Sequence, residues 1–279
     1  QHPHPVEVGG VQAHLVGQAF GVERPPLDER RVAEAEALER RHARTFEEMR
    51  GAAVATAGLP TPFIARFVRE LRFYTRYLAF MEALRERGMP FAYPALSPEG
   101  GIRIDGAYDL ALALKAEDVV ANDLSFTPEE RGAIITGANQ AGKTTFLRAM
   151  GQIAVLAGLG LSVPCLHAQL PLFRRVLSHF SQVEDASTDH GKLKEELLRL
   201  RPILCQAKAD SLVLLNELFS STTAQDALEM AERALAWLTG AGSRVLCVTH
   251  IQGLALQGMV SMAPQVDPVS HERLYRIVR

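Results

Sequence analysis

The chain has 279 residues, enough for one large domain or two modest ones, and its 47% hydrophobic against 22% charged residues is ordinary globular composition. A formal net charge of −2 gives no overall electrostatic signature of a nucleic-acid binder, which leaves only local patches for that role. No apolar run approaches the roughly 20 residues of a membrane span and no signal peptide is visible, so a cytoplasmic protein with no membrane partner is expected.

Residues 1–26 carry His, Pro and Gly without a period and read as a loop or part of a further element. Residues 27–53 are rich in Ala, Glu, Arg and Leu, which predicts a helix. Its charges are of both signs, as on a solvated face rather than a DNA-binding stripe. After Pro60 and Pro62 a second helix is predicted over 63–87, with Phe67, Leu71, Tyr74, Leu78 and Met81 forming a core-facing stripe. Residues 88–101 are dense in Pro and Gly and mark a boundary.

From residue 102 strands and helices alternate. Strand-like runs are AIITG (133–137), LFRRVLSHF (172–180), SLVLLN (211–216) and RVLCVTH (244–250). Helical patterns run from the end of the first to about 158, then over 191–208 and 224–239. This alternation predicts an α/β fold whose mostly parallel sheet is covered on both faces. The expected division is a helical segment over 1–98 and an α/β domain over 99–279. The chain opens on Gln1 and closes on the strand-like ERLYRIVR, as expected of a fragment. Cys165, Cys205 and Cys247 have neither CxxC nor Cys/His spacing and are expected to be small buried residues, not a zinc site or a disulfide framework.

The motif with the most chemical content is GANQAGKTT, Gly137 to Thr145, which fits G-x-x-x-x-G-K-[ST] between a strand and a helix. Gly137 and Gly142 let the backbone curl, so that the N–H groups of Ala138, Asn139, Gln140, Ala141 and Thr145 point at phosphate oxygens. The helix starting near Lys143 adds its positive dipole end. Lys143 is expected to reach the β- and γ-phosphates of ATP, and Thr144 to offer its hydroxyl to Mg²⁺. The buried strand at 211–216 ends in Asn216-Glu217, where ligands bind in open α/β sheets. Glu217 then orients or deprotonates the attacking water, or else caps a helix or pairs with a cation. His250, at the end of another strand, is placed to sense the γ-phosphate. The hydroxyl run 220–223 that follows Glu217 suits either a helix cap or a loop touching a partner.

From about 119 to 257 the chain resembles the ATPase domain of MutS-type DNA mismatch-repair proteins. The blocks that carry the resemblance are ITGANQAGKTTFLRAMGQIAVLAGLGLSVP (135–164), SLVLLNELFSSTTAQDAL (211–228) and VTHIQGLA (248–255), in that order and spacing. The resemblance implies an ABC-type P-loop NTPase domain preceded by a helical lever and core segment, with ATP and Mg²⁺ as cofactors. It implies DNA association, a homodimer closed by ATP, and catalytic roles for Lys143, Glu217 and His250. Thr144 and Asn216 match the metal positions. VVANDL (119–124) resembles the segment lying along the adenine, with Val119 where the family has an aromatic and Asn122 beside it.

Three further departures accompany the resemblance. Asn216 replaces the family's aspartate, from which weaker Mg²⁺ affinity and slow hydrolysis are expected. Glu196 and Leu197 match the end of the family's partner-contacting signature, but Gly191 and Lys192 stand where it has serine and threonine, so the partner subunit's ATP is expected to meet a backbone N–H, a lysine, and Ser221 and Thr222. No mismatch-reading segment is present in the sequence. The expected function is therefore the ATP-binding and slowly hydrolysing motor of a shorter MutS-related protein. The alternative is a nucleotide-gated binding module with little turnover. A small-molecule kinase is disfavoured, because no Arg-rich lid follows the second strand.

Overall fold

The structure, a computed structural model, describes residues 37, 40–48, 51, 61–97, 99–180 and 191–279. The chain divides into two units, Gln1–Arg76 and Tyr77–Arg279. In the first, residues 43–48 are helical, and a helix Thr61–Arg85 (α1) begins that runs on into the second. Most of the helix expected over 27–53 lies outside the described residues. The stripe expected to face a core is largely exposed: Phe67, Leu71, Tyr74 and Leu78 are 40–55% accessible, and only Met81 is buried. The register of the stripe is helical as read, but α1 is about 38 Å long and only its last turns, at Met81 and Leu84, are buried.

The second unit is α/β. A six-stranded sheet has the order β10-β9-β4-β8-β7-β6. Its strands are β4 (Gly132–Thr136), β6 (Arg175–His179), β7 (Ser211–Asn216), β8 (Arg244–Thr249), β9 (Met259–Val266) and β10 (Arg273–Val278). All pairs are parallel except β10 with β9. The helices are α3 (Lys143–Gly158), α4 (Lys192–Gln206) and α5 (Ala224–Gly240), close to the predicted spans.

Strand β7 explains the layering. All of its residues are buried, so both faces must be covered. Leu212 and Leu214 join α3 residues Phe146, Leu147, Met150 and Ile153 in one core. Val213 and Leu215, one step out of phase, join Leu200, Ile203, Leu235 and Leu238 of α4 and α5 in the other. Each fully buried Leu or Val contributes about 1.5–3 kcal/mol.

A second sheet was not foreseen. It has four strands in the order β1-β5-β2-β3, from Ala95–Leu96 (β1), Ile102–Ala107 (β2), Asn122–Phe126 (β3) and His167–Leu170 (β5). Ile102, Ile104, Leu124 and Phe126 put its inner face on the α3 side of the large core. A one-turn helix α2 (Leu110–Ala113), capped by Asp109, follows β2. Of the cysteines, Cys165 and Cys247 are buried, with burial pushing both thiols up to about 12, whereas Cys205 is exposed, contrary to expectation, because it lies on the outer face of α4. Among the described residues no helix is long and apolar enough to cross a membrane.

Candidate functional site

The C-terminal ends of β4, β8 and β7 lie side by side, with Thr136 registered on Thr249 and Asn216 on Val248. The loop after β4 therefore lies near the ends of β8, its neighbour, and of β7 beyond it. Gly137, at φ 143°, passes close to β9: a Cβ there would fall 2.6 Å from Pro264 Cδ. Gly142 caps α3 in the left-handed region at φ 87°, with no side-chain cap over the helix end. The first N–H groups of α3 are thus left without a side-chain acceptor from the cap, and the helix dipole adds positive potential there.

Lys143 is the first residue of α3 and is only 4% exposed. Its ammonium donates to the carbonyls of Gly137 (2.6 Å) and Ala138 (2.7 Å). Burial pushes its pKa down, with the Glu217 carboxylate pulling the other way. A buried cation with neutral acceptors in its own loop favours an anion beside it. Thr144 Oγ1 donates to Asn216 Oδ1 at 3.0 Å, which joins the loop to the end of β7. These are two neutral oxygen donors, a set that suits a hard divalent cation retaining much of its own water.

After Asn216 the chain turns through two left-handed residues, Glu217 (φ 57°) and Phe219 (φ 56°). Each costs about 1–2 kcal/mol in a non-glycine residue, so something must hold the turn. Glu217 N–H donates to Val248 O at 2.8 Å. Phe219 N–H donates to the buried carboxylate of Glu196 on α4 at 2.6 Å. His179, buried at the end of β6, lies 3.6 Å from that carboxylate. The turn aims Glu217 Oε1 at His250 Nε2, 2.9 Å away, and both side chains are partly accessible.

A cavity of about 390 Å³ opens over this loop, within the range of small-ligand sites. Of the residues singled out in the sequence, Asn139, Gln140, Ala141, Gly142, Lys143, Thr144, Thr145, Asn122 and Glu217 line it. Gly137 and Ala138 join it through Lys143, Asn216 through Thr144, and His250 through Glu217. Val119 does not line it. That side chain packs beside Leu84, Tyr108 and Ala113, and its neighbour Val120 lines the cavity instead. Asn122 commits its amide to β10, accepting from Ile277 N–H at 2.7 Å and donating to Tyr275 O at 3.2 Å.

Gly191, Lys192, Ser221 and Thr222 are not in the cavity. Gly191 caps α4, and Thr222 shares a separate groove with Leu193, the residue after Lys192. Within the hydroxyl run, Thr223 caps α5 by accepting from Asp226 N–H. Glu196, His179 and Tyr275 were missed as site residues. Only Glu196 had a signal in the sequence, as the end of the family signature. Among the described residues there is no cluster of His, Cys, Asp and Glu able to hold a metal by itself.

The description of the family MutS domain V matches residues 133–272, half of the chain. Over 150 residues, 54% of this chain and 18% of the relative, the sequence is 35% identical to the DNA mismatch repair protein MutS of Thermotoga neapolitana. It is 32% identical over 156 residues to the protein of that name from Thermotoga petrophila, covering 56% of this chain and 20% of the relative. The matched region thus spans about a fifth of the length of these relatives.

Proposed function

This chain belongs to the MutS family, and we propose that its second unit is an ABC-type P-loop domain that binds ATP with Mg²⁺ and hydrolyses it slowly. The observation that carries the reading is the meeting of Lys143, the Thr144–Asn216 pair and the Glu217–His250 pair around one cavity. Gly137 to Thr145 supply backbone N–H groups and the helix end for the phosphates, and Lys143 supplies the buried positive charge. Thr144 and Asn216 are the residues that would hold Mg²⁺, the amide acting on its water shell. When bound, that ion neutralises charge on the phosphates. Glu217 accepts the proton of the attacking water or orients it, and His250 fixes the Glu217 carboxylate. The further reading, drawn from the resemblance, is that ATP closes a homodimer and that closure is passed to a DNA clamp lying largely outside this chain.

A second reading, a nucleotide-gated module with little turnover, is favoured by one observation, the neutral amide of Asn216 where a charged acceptor is usual. ATP turnover of the full chain, with and without duplex, mismatched, branched and single-stranded nucleic acid at stated salt, separates the two. Slow turnover that Glu217→Gln lowers by at least about 100-fold while ATP still binds is the expected result. Tight ATP binding with no turnover in the wild type selects the module. No ATP binding at all overturns both.

A further inference from the structure

The small sheet ends in β3 and the large sheet in β10, and each of these strands is paired on one side only. Their free edges line a second cavity, of about 640 Å³, which shares only Asn122 with the one over Lys143. The register shows which backbone groups face it. Leu166 N–H donates to Asp105 O at 2.9 Å on the β5 side of β2. Asp105 and Arg103 therefore turn their N–H and C=O groups to β5, and Ile102 and Ile104 turn theirs to β3. Leu124 and Phe126 lie opposite Ile104 and Ile102, so they spend their backbone groups on β2. Asp123 and Ser125 are out of phase with them. Their N–H and C=O groups point away from β2, both residues line the cavity, and among the described residues no hydrogen bond reaches those groups. On β10, Ile277 N–H donates to the Asn122 side chain at 2.7 Å, and that side chain donates to Tyr275 O at 3.2 Å. Among the described residues, no other residue of β3 bonds to β10. Beyond Asn122 the two edges are unbonded, with the cavity between them.

The lining has an apolar part. Val260 and Met262 of β9 are buried at its floor, while Leu166 is 68% and Val278 42% exposed. It also has four charged side chains, Asp105, Asp123, Arg276 and Arg279. Arg103 donates to Asp105 at 3.0 Å, Gly106 N–H donates to Asp123 at 2.7 Å, and Arg279 donates to Glu130. Arg276 has no partner among the described residues, so it is the cation left for an incoming group.

We propose that this cleft takes an extended segment of a partner protein, which adds as a strand to the free edge of β3. An acidic side chain of that segment meets Arg276, and an apolar one meets Leu166 and Val278. An open strand edge offers alternating N–H and C=O groups that another strand satisfies and that a helix, bonded within itself, does not. The guanidinium sets the sign of the partner's charge, because it pairs with a carboxylate through two parallel hydrogen bonds. Nothing in this inference depends on the nucleotide reading.

The test is calorimetric titration of the full chain with short synthetic peptides that alternate valine and threonine and carry glutamate, lysine or glutamine at the centre. The glutamate peptide is expected to bind at least about tenfold more tightly than the lysine peptide. Ser125→Pro removes an outward N–H of β3, at a position where an edge strand tolerates proline. It is expected to weaken the glutamate peptide by at least about tenfold. Arg276→Glu is expected to reverse the preference, so that the lysine peptide binds more tightly. Failure of every peptide to bind at up to about 1 mM overturns the proposal. So does binding that Ser125→Pro leaves unchanged, since backbone pairing would then have no part in it. Circular dichroism shows whether Ser125→Pro folds; if it does not, Arg276→Glu decides alone, and an unreversed preference overturns the proposal. Self-association of the wild type in sedimentation, lost in Ser125→Pro and with no peptide bound, would give the cleft to a second copy of this chain and overturn the partner protein.

Discussion

Asn216 is the residue at which the site departs most from what its chemistry asks. Its amide oxygen accepts from the Thr144 hydroxyl at 3.0 Å and is 5% exposed, so it is held in place. An amide oxygen accepts the same hydrogen bonds as a carboxylate, more weakly and without its charge. Asn216→Asp therefore adds a negative charge where a divalent cation would be held, at nearly unchanged volume. The expected outcome is a fall of about fivefold in the Mg²⁺ concentration for half-maximal ATP turnover, on the order of 1 kcal/mol. A Mg²⁺ titration at saturating ATP checks it, and an unmoved midpoint would remove position 216 from the metal's surroundings. This residue was legible in the sequence because the strand before it is continuous and apolar, so its end could be counted. The place of Tyr275 in the cavity lining was not, because it depends on a bulge and on an amide 153 positions away in the chain.

At the scale of elements, the turn after β7 is held from behind by α4. Glu196 accepts from Phe219 N–H in a buried setting beside His179, so the helix that begins at Gly191 is tied to the turn that aims Glu217. Glu196→Ala leaves a buried N–H without its acceptor, which costs about 1–3 kcal/mol. Glu196→Gln keeps an oxygen in the same place and is expected to restore most of that. The urea midpoint with unchanged slope measures the stability part. Aim is measured separately: on the proposed reading, Glu196→Ala lowers turnover at saturating ATP while ATP affinity stays within about twofold, because Glu196 does not line the cavity. Equal losses in affinity and turnover would reduce Glu196 to a general structural role. Of the large sheet, β4, β7 and β8 were readable because they are buried almost throughout and follow or precede full helices, whereas β9, half exposed and joined to β8 and β10 without a helix, was not predicted. The small sheet was hidden because its strands have two to six residues and hold only a few apolar positions each, too few for a period to emerge. The stripe on α1 shows the reverse failure: a correct helical period says which residues share a face, not that anything covers it.

At the scale of the whole molecule, the residues singled out in the sequence, Val119 apart, fall in two regions. One is the cavity over Lys143; the other is the region of Gly191, Lys192 and Thr222, none of which lines that cavity. On the proposed reading this separation has a consequence for symmetry. A two-fold dimer places the same patch of each subunit against the other, so a surface that does not serve its own nucleotide is free to serve the partner's. Gly191 brings the N-terminus of a 15-residue helix without a side-chain cap, and Lys192 brings a cation beside it, both suited to a phosphate. Lys192→Ala is therefore expected to weaken dimerisation driven by a non-hydrolysable ATP analogue by about tenfold, a contact to a charged group contributing about 1.5–3 kcal/mol at most. The affinity of the monomer for the same analogue should not move, since Lys192 is outside its own cavity. Sedimentation across a range of protein concentrations reads the first quantity, and calorimetry at low protein concentration reads the second. A variant that dimerises as the wild type does would show that the surface at Lys192 does not face the partner's nucleotide. One that loses monomer binding as well would show that the two surfaces are not separate.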